Sequence, residues 1–387
     1  MYEDIDKISI DLPEPYNEYD AAETKDLDEK DKFNVEEPFD TKLVDIQVMQ
    51  TTMDTLIKRL RHNEIDLMPD FQRNANLWSK ETKGRLIESL LLRFPLPAFY
   101  FDATNDENWL VVDGLQRLIT IQQFVINDEL KLKGLEFLHN GCNNKTYENL
   151  SRSMQRRILE ASVTLYLIKP GTPELVKYSI FHRINTGGLR LNAQEIRHAL
   201  NQAINNGQAS TFLSTIVETD IFKKVVGVSE KRMLDKELVL RYLAFKLINY
   251  KEYKPPMVNF LNSAMASVGR LNIFGSLLFK LEFEKSLNVA FNLFGDDAFR
   301  KSLAFPESTK VLNRALFEVC TVLFSQLTNA EIDTLNENKN AFVEAFKNIL
   351  RDDDFNSCIS YSTTSTSNVN KRFEEISSIL NKYKSRC

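Results

Sequence analysis

The chain has 387 residues, more than one hydrophobic core usually organises, so two domains are expected. A hydrophobic content of 43% excludes a largely disordered protein, and no window reaches the ~18 uninterrupted apolar residues of a membrane helix. The net charge of −5 is uneven: residues 1–40 hold fifteen acidic residues against four lysines, a net of −11, which leaves +6 on residues 41–387.

The acidic stretch 1–40 also contains three prolines and few aliphatic side chains, so it is expected to lack a packed core of its own. It reads as a solubilising tail, or as an autoinhibitory strip laid over a basic groove. Its opening, MYEDIDKISI, has neither the basic flank nor the apolar core of a signal peptide. The four cysteines (Cys142, Cys320, Cys358, Cys387) are scattered with no CxxC pair, the pattern of reduced thiols rather than of disulfides or a zinc site. A cytoplasmic protein with no membrane partner is expected.

From residue 41 the pattern becomes that of a folded α+β domain. Thr51 or Thr52 caps a helix with Leu56, Ile57 and Leu60 on one face. The chain then runs through Ile65–Met68 into a loop at Asp70-Phe71-Gln72-Arg73. Ser79 opens a second helix that carries Leu86, Ile87, Leu90 and Leu91 inward and ends at Pro95 and Pro97. Ala98–Phe101 and Trp109–Val112 have strand length and polar or glycine borders. After Gly114 the period turns helical through Leu118, Ile119, Ile121 and Phe124. A helix near Leu150–Ala161 leads to a strand at Val163–Ile168, and two more helices flank Asn185-Thr186-Gly187-Gly188. Residues 205–387 carry helical periodicity almost throughout, as in Glu237–Asn249, Ser276–Phe294, Ala315–Leu327 and Ala341–Leu350. The division expected is a tail over 1–40, an α+β domain over 41–204 and an all-α domain over 205–387.

Most chemical information sits at Asp113-Gly114-Leu115-Gln116-Arg117, where a buried strand enters a turn and a helix starts at once. The free N–H groups of a first helical turn attract a phosphate, and a glycine lets the backbone approach it. Arg117 lies one turn in, with a guanidinium fork suited to phosphate oxygens. Asp113 is placed to bind Mg2+ or to position water. The bland alternative is that Asp113 caps the helix and Arg117 pairs with it. Gln72-Arg73 and Arg183-Ile184-Asn185-Thr186-Gly187-Gly188 add two further clusters of arginine with amide groups, the second with a glycine pair. Three such clusters on one small domain suit a polyphosphate such as a nucleoside triphosphate. Asn192 and Glu195 form a capping-box pattern, which explains both without function.

The set PDFQR, PLP, VVDGLQRL, RINTGG and LNAQEIR, spread from roughly Asp45 to Ala199, resembles the DGQQR family of ParB/sulfiredoxin-like domains. That is the family of the GmrS half of GmrSD-type, modification-dependent restriction systems. Each motif alone is weak, but five in the right order are specific. The stretch Val228–Arg241 also resembles the helical region that often follows. The resemblance implies a compact ParB/sulfiredoxin-like α+β fold, then an all-α helical domain. It further implies that the turn binds and hydrolyses nucleoside triphosphate in the service of anti-phage restriction. The matching positions are Gln72, Arg73, Asp113, Gly114, Gln116, Arg117, Arg183, Asn185, Glu195 and Arg197. Leu115 departs from the pattern, since the family usually has Gln there, which puts the rate of hydrolysis in question.

Proteins of this family often continue into an HNH-type nuclease, which needs a histidine base. The four histidines are His62, His139, His182 and His198, so residues 199–387 hold none and no His-dependent nuclease fits there. Three readings follow. The leading one is a nucleotide-dependent switch or Mg2+-dependent NTPase that gates a DNA-directed defence activity, with cutting done by a separate nuclease or effector subunit. The second is a ParB-like DNA-binding module with Arg73, Arg117 and Arg183 on the backbone, although +6 over residues 41–387 is weak for a DNA binder. The third is a scaffold that keeps the fold without its chemistry. Homo-oligomerisation is compatible with all three.

Overall fold

The computed structural model describes residues 43–67, 78–184, 192–202, 207–228 and 231–385. The acidic stretch 1–40, the Gln72-Arg73 loop and Asn185 with Gly187 lie outside the described residues.

A mixed sheet of five strands forms the centre of the first half, in the order β1-β5-β3-β4-β2. Strand β1 (Ile46–Thr52) runs antiparallel to β5 (Ser162–Ile168), with Ile46 opposite Ile168 and Thr52 opposite Ser162. Strand β5 is parallel to β3 (Phe99–Asp102), β3 is antiparallel to β4 (Trp109–Asp113), and β4 is parallel to the short β2 (Ile65–Asp66).

Alternation sorts the side chains onto two covered faces. Phe99, Phe101, Trp109, Val111, Val163, Leu165 and Leu167 point to one core. They pack there under α1 (Met53–Arg61), α2 (Lys80–Leu91), α3 (Leu115–Ile121, continued by a π turn over Gln122–Ile126) and α5 (Arg152–Leu159), with α4 (His139–Cys142) beside them. The opposite face presents Leu110, Val112 and Ile168 to α6 (Glu174–Ile184) and α7 (Ala193–Gln202), which contribute Tyr178, Phe181, Ile196, Ala199 and Leu200. Helix starts follow the chemistry expected of them: Ser79 Oγ accepts from Thr82 N at 3.2 Å at the head of α2. A buried ion pair, Lys177 to Asp102 at 3.1 Å, ties α6 to the end of β3.

The rest of the chain is helical. Helices α8 (Gln208–Val217), α9 (Asp220–Val225), α10 (Leu234–Leu247), α11 (Met257–Val268) and α12 (Ile273–Phe294) are followed by α13 (Arg314–Ser325), α14 (Asn329–Glu337), α15 (Lys339–Arg351), α16 (Asp353–Cys358) and α17 (Thr366–Tyr383). They enclose a large aromatic-rich core that includes Tyr242, Phe245, Phe283, Phe317 and Phe373. Inside this apolar interior runs a chain of charges. Glu318 of α13 accepts from Arg241 of α10 and Arg372 of α17, each at 2.5 Å. Arg241 also meets Glu237 at 2.8 Å, and Glu237 meets Arg197 of α7 at 3.8 Å. Helix α7 thus touches the helical half as well as the sheet, and it packs on α8, α10 and α11. The fold is an α+β domain followed by a helical region, as the residue pattern led us to expect.

Strand β1 is the element the sequence concealed. As an edge strand it buries none of its residues fully, and its sequence IQVMQTT sets no run of apolar residues on one face for a pattern to reveal.

Candidate functional site

Strand β4 delivers Asp113 to the head of α3, and the pairing with β3 slips just before it. Phe101 faces Val111, but Tyr100 faces Asp113, so a bulge falls at Val112 and re-aims the aspartate. Gly114 follows with φ +104, a left-handed conformation that side chains rarely adopt. A Cβ at this glycine would also stand 2.5 Å from Phe99 Cδ1. Two independent constraints, backbone angle and the Phe99 ring beneath it, therefore require glycine here. The first intrahelical bond of α3 runs from Leu118 N to Gly114 O at 2.9 Å, so the amides of Leu115, Gln116 and Arg117 precede the helical ladder.

Arg117 is 8% exposed and points into the protein. One of its η nitrogens, Nη2, donates to Asp113 Oδ2 at 2.8 Å and to Ala98 O at 3.0 Å, while Nη1 donates to Pro97 O. The guanidinium lies 4.3 Å from the Phe99 ring centroid, and burial lowers its pKa against the opposing pull of Asp113. The PLP and DGLQR motifs are therefore in contact, with the arginine of one binding the backbone of the other. Arg117 does not stand at the mouth of the turn. It fixes Asp113 and the segment before β3. Asp113 itself keeps 27% of its side chain exposed. Gln116 is half-buried, and its carbonyl accepts from Thr120 Oγ1 at 2.7 Å.

Beside Asp113 the sheet carries a feature that no motif signalled. Tyr100 of β3 and Tyr166 of β5 stack with centroids 4.7 Å apart and planes within 9°. Burial, then Tyr166 and Asp113, push the Tyr100 hydroxyl above its ordinary pKa. The stack depends on the parallel pairing of β3 with β5, a contact between residues 66 positions apart in the chain. Only the alternation of Tyr100 and Tyr166 with apolar neighbours could have hinted at it.

The remaining expected residues divide. Arg183 is exposed near the end of α6, the helix that packs on β4. Gln72, Arg73, Asn185 and Gly187 lie outside the described residues, so their position relative to Asp113 is not part of this geometry. Asn192 and Glu195 form the expected capping box, with Asn192 N donating to Glu195 Oε2 at 2.7 Å and Glu195 N to Asn192 Oδ1 at 2.8 Å. The same pair grips Arg232. Its carbonyl accepts from Asn192 Nδ2 at 2.7 Å, and its guanidinium meets Glu195 at 3.1 Å. Arg232 and Met233 both have left-handed φ, 60° and 58°, a costly geometry for side-chain residues that this clamp helps to hold. The LNAQEIR stretch and the later SEKRMLDKE stretch thus meet in space. Burial raises the Glu195 carboxyl, while Arg232 opposes the shift.

A strand–glycine–helix turn on a mixed sheet covered by helices, followed by a helical region, defines a small α+β domain joined to a helical one. Residues 54–201 match the family described as GmrSD restriction endonuclease, N-terminal domain. No curated protein and no solved structure matches the chain. Among the described residues, no helix is long and apolar enough to cross a membrane, and no group of three or more His, Cys, Asp or Glu side chains is arranged to hold a metal ion.

Proposed function

We propose that this protein is a nucleotide-responsive component of a DNA restriction system, which binds nucleoside triphosphate with Mg2+ at the turn Asp113–Arg117. The observation that carries the reading is the left-handed Gly114 between β4 and α3, which leaves helix-start amides beside a partly exposed carboxylate. The family domain over 54–201 supplies the restriction context.

The residues fit the ligand in a defined way. The amides of Leu115, Gln116 and Arg117 would hold phosphate oxygens. Arg117 occupies Asp113 Oδ2, so a cation would be held through Oδ1. One carboxylate suffices only with phosphate oxygens completing the shell, which is the usual way Mg2+ binds at a nucleotide site. Arg117 acts as a positioning residue that keeps Asp113 and the Pro97–Ala98 segment in place, and Gln116 lines the helix start. Gln72, Arg73, Arg183, Asn185 and Gly187 are the remaining proposed phosphate contacts. Mg2+ would supply charge neutralisation on the phosphates. Binding is proposed to bias the helical region, and so a separate nuclease or effector, through α7.

The test is thermal shift and calorimetric titration with each nucleoside triphosphate, with and without Mg2+, on the wild type and Asp113→Asn. We expect a nucleotide-dependent rise in melting temperature; ligand at 100 times its dissociation constant adds ~2.7 kcal/mol. Asp113→Asn should retain the fold, lose the Mg2+ dependence and release no phosphate. Absence of any response to nucleotide sinks the reading, and a response to duplex DNA alone favours a DNA-binding module instead.

A further inference from the structure

Helix α12 is built in two unlike halves. Its C-terminal half buries Phe283, Leu287, Ala290, Leu293 and Phe294 in the helical core. Its N-terminal half, Ile273 to Glu282, buries none of its residues. There the exposed side chains are large and apolar: Ile273 is 91% exposed, Phe274 75%, Leu277 53%, Leu278 47% and Leu281 54%. Their spacing at 273/277/281 and 274/278 makes one continuous ridge along the helix. No charged residue occurs from Leu271 to Phe279.

We propose that this ridge is where two copies of the chain associate, their α12 helices packed antiparallel about a two-fold axis near Leu277 and Leu278. Five such side chains at these exposures offer roughly 600 Å² of apolar surface. That is at the limit of what a monomer leaves open and near the ~800 Å² that each partner contributes to a stable pair. Past the C-terminal end of the ridge the nearest charges have partners in their own chain, Lys280 with Glu284 at 3.9 Å and Glu282 with Lys246 at 3.1 Å, while Arg270 stands exposed just before Leu271. A foreign partner recognised by charge therefore finds no unmatched charge to read along Leu271–Phe279. A second copy needs none, because a two-fold sets Ile273 and Phe274 of one helix over Leu281 of the other. Antiparallel packing also opposes the two helix dipoles, and an isologous contact closes on itself.

The experiment is sedimentation velocity of the full chain over a micromolar dilution series, comparing wild type with the double variant Ile273→Glu, Leu277→Glu. Both positions face solvent in one copy, so circular dichroism and melting temperature should match those of wild type. The dimer dissociation constant should rise ~100-fold or more, because two carboxylates per helix would be buried in the seam. Oxidative cross-linking fixes the geometry, with Cys387→Ser as the background because Cys142, Cys320 and Cys358 are buried. Leu278→Cys should link the copies through a disulfide. Ile273→Cys should not, since the two-fold leaves those positions ~13 Å apart along the axis at 1.5 Å per residue. A wild type that stays monomeric, with its ridge open to some other protein, overturns the proposal. So does a dimer indifferent to the two glutamates, or a disulfide from Ile273→Cys but not from Leu278→Cys.

Discussion

The two halves of this chain bury arginines to opposite ends. In the sheet domain, Arg117 spends its guanidinium on two backbone carbonyls and one carboxylate, and that carboxylate still reaches solvent. In the helical half, Glu318 sits between Arg241 and Arg372 with both glutamate and Arg372 only 1% exposed. The first arrangement holds the Asp113 carboxylate at the surface with one oxygen uncommitted by the arginine. The second lies wholly inside the helical core, with each glutamate oxygen held by an arginine. Density of buried charge is therefore a poor guide to chemistry, and the useful sign is a buried cation that props up an accessible anion.

Removing the carboxylate from the closed network should have the largest effect. Glu318→Ala leaves Arg372 buried without a carboxylate and Arg241 with Glu237 alone, and should cost about 3–5 kcal/mol in urea-monitored stability. A loss under about 1 kcal/mol would mean that water reaches the network, and the contrast between the halves would fail. Acid attacks the same network from another side. Burial alone would raise the Glu237 carboxyl, but Arg241, Arg314 and Arg197 hold it at about 2 against an ordinary 4.5. Its contribution to stability is therefore complete above pH 4.5 and is lost as the pH falls through 4.5 towards 2. Melting curves between pH 6 and 2 should show that loss, and Glu237→Gln should flatten it. A smaller effect is expected in the sheet domain. Arg117→Ala strands the Pro97 and Ala98 carbonyls, yet solvent can rehydrate Asp113, so about 2–3 kcal/mol should be lost. A neutral Arg117→Ala would return the arginine to the mouth of the turn.

Helices such as α1 and α5 were legible because their apolar faces are one-sided, and α2 and α7 because their starts are marked at Ser79 and Asn192, whereas α10 is buried on every side from Leu238 to Phe245. Strand β4 was legible because both of its faces are buried, and β5 because Val163, Leu165 and Leu167 alternate inward between less buried neighbours; both are short runs bounded by turn residues. The turn at Gly114 could be located, but not the direction of Arg117, because its acceptors Pro97 and Ala98 lie about twenty residues earlier across a strand pairing. The Tyr100–Tyr166 stack was hidden for the same reason: register between distant strands leaves no local trace. The exposed half of α12 was hidden differently, since an apolar helical stripe reads as core whether or not the molecule covers it.

The contact between Arg197 and Glu237 bears on where the protein may be cut. Arg197 lies within the family-matched span and its carboxylate partner lies beyond it. Val258 of α11 likewise packs on the cluster that covers the outer face of the sheet. A fragment ended after Gln202 would carry a 3%-exposed arginine stripped of its counter-ion, next to an apolar face with part of its cover missing. The span by which kinship is recognised is thus shorter than the span that satisfies its own interior. A fragment trimmed to the matched residues should therefore be prone to aggregate, where one that extends through α11 stays dispersed.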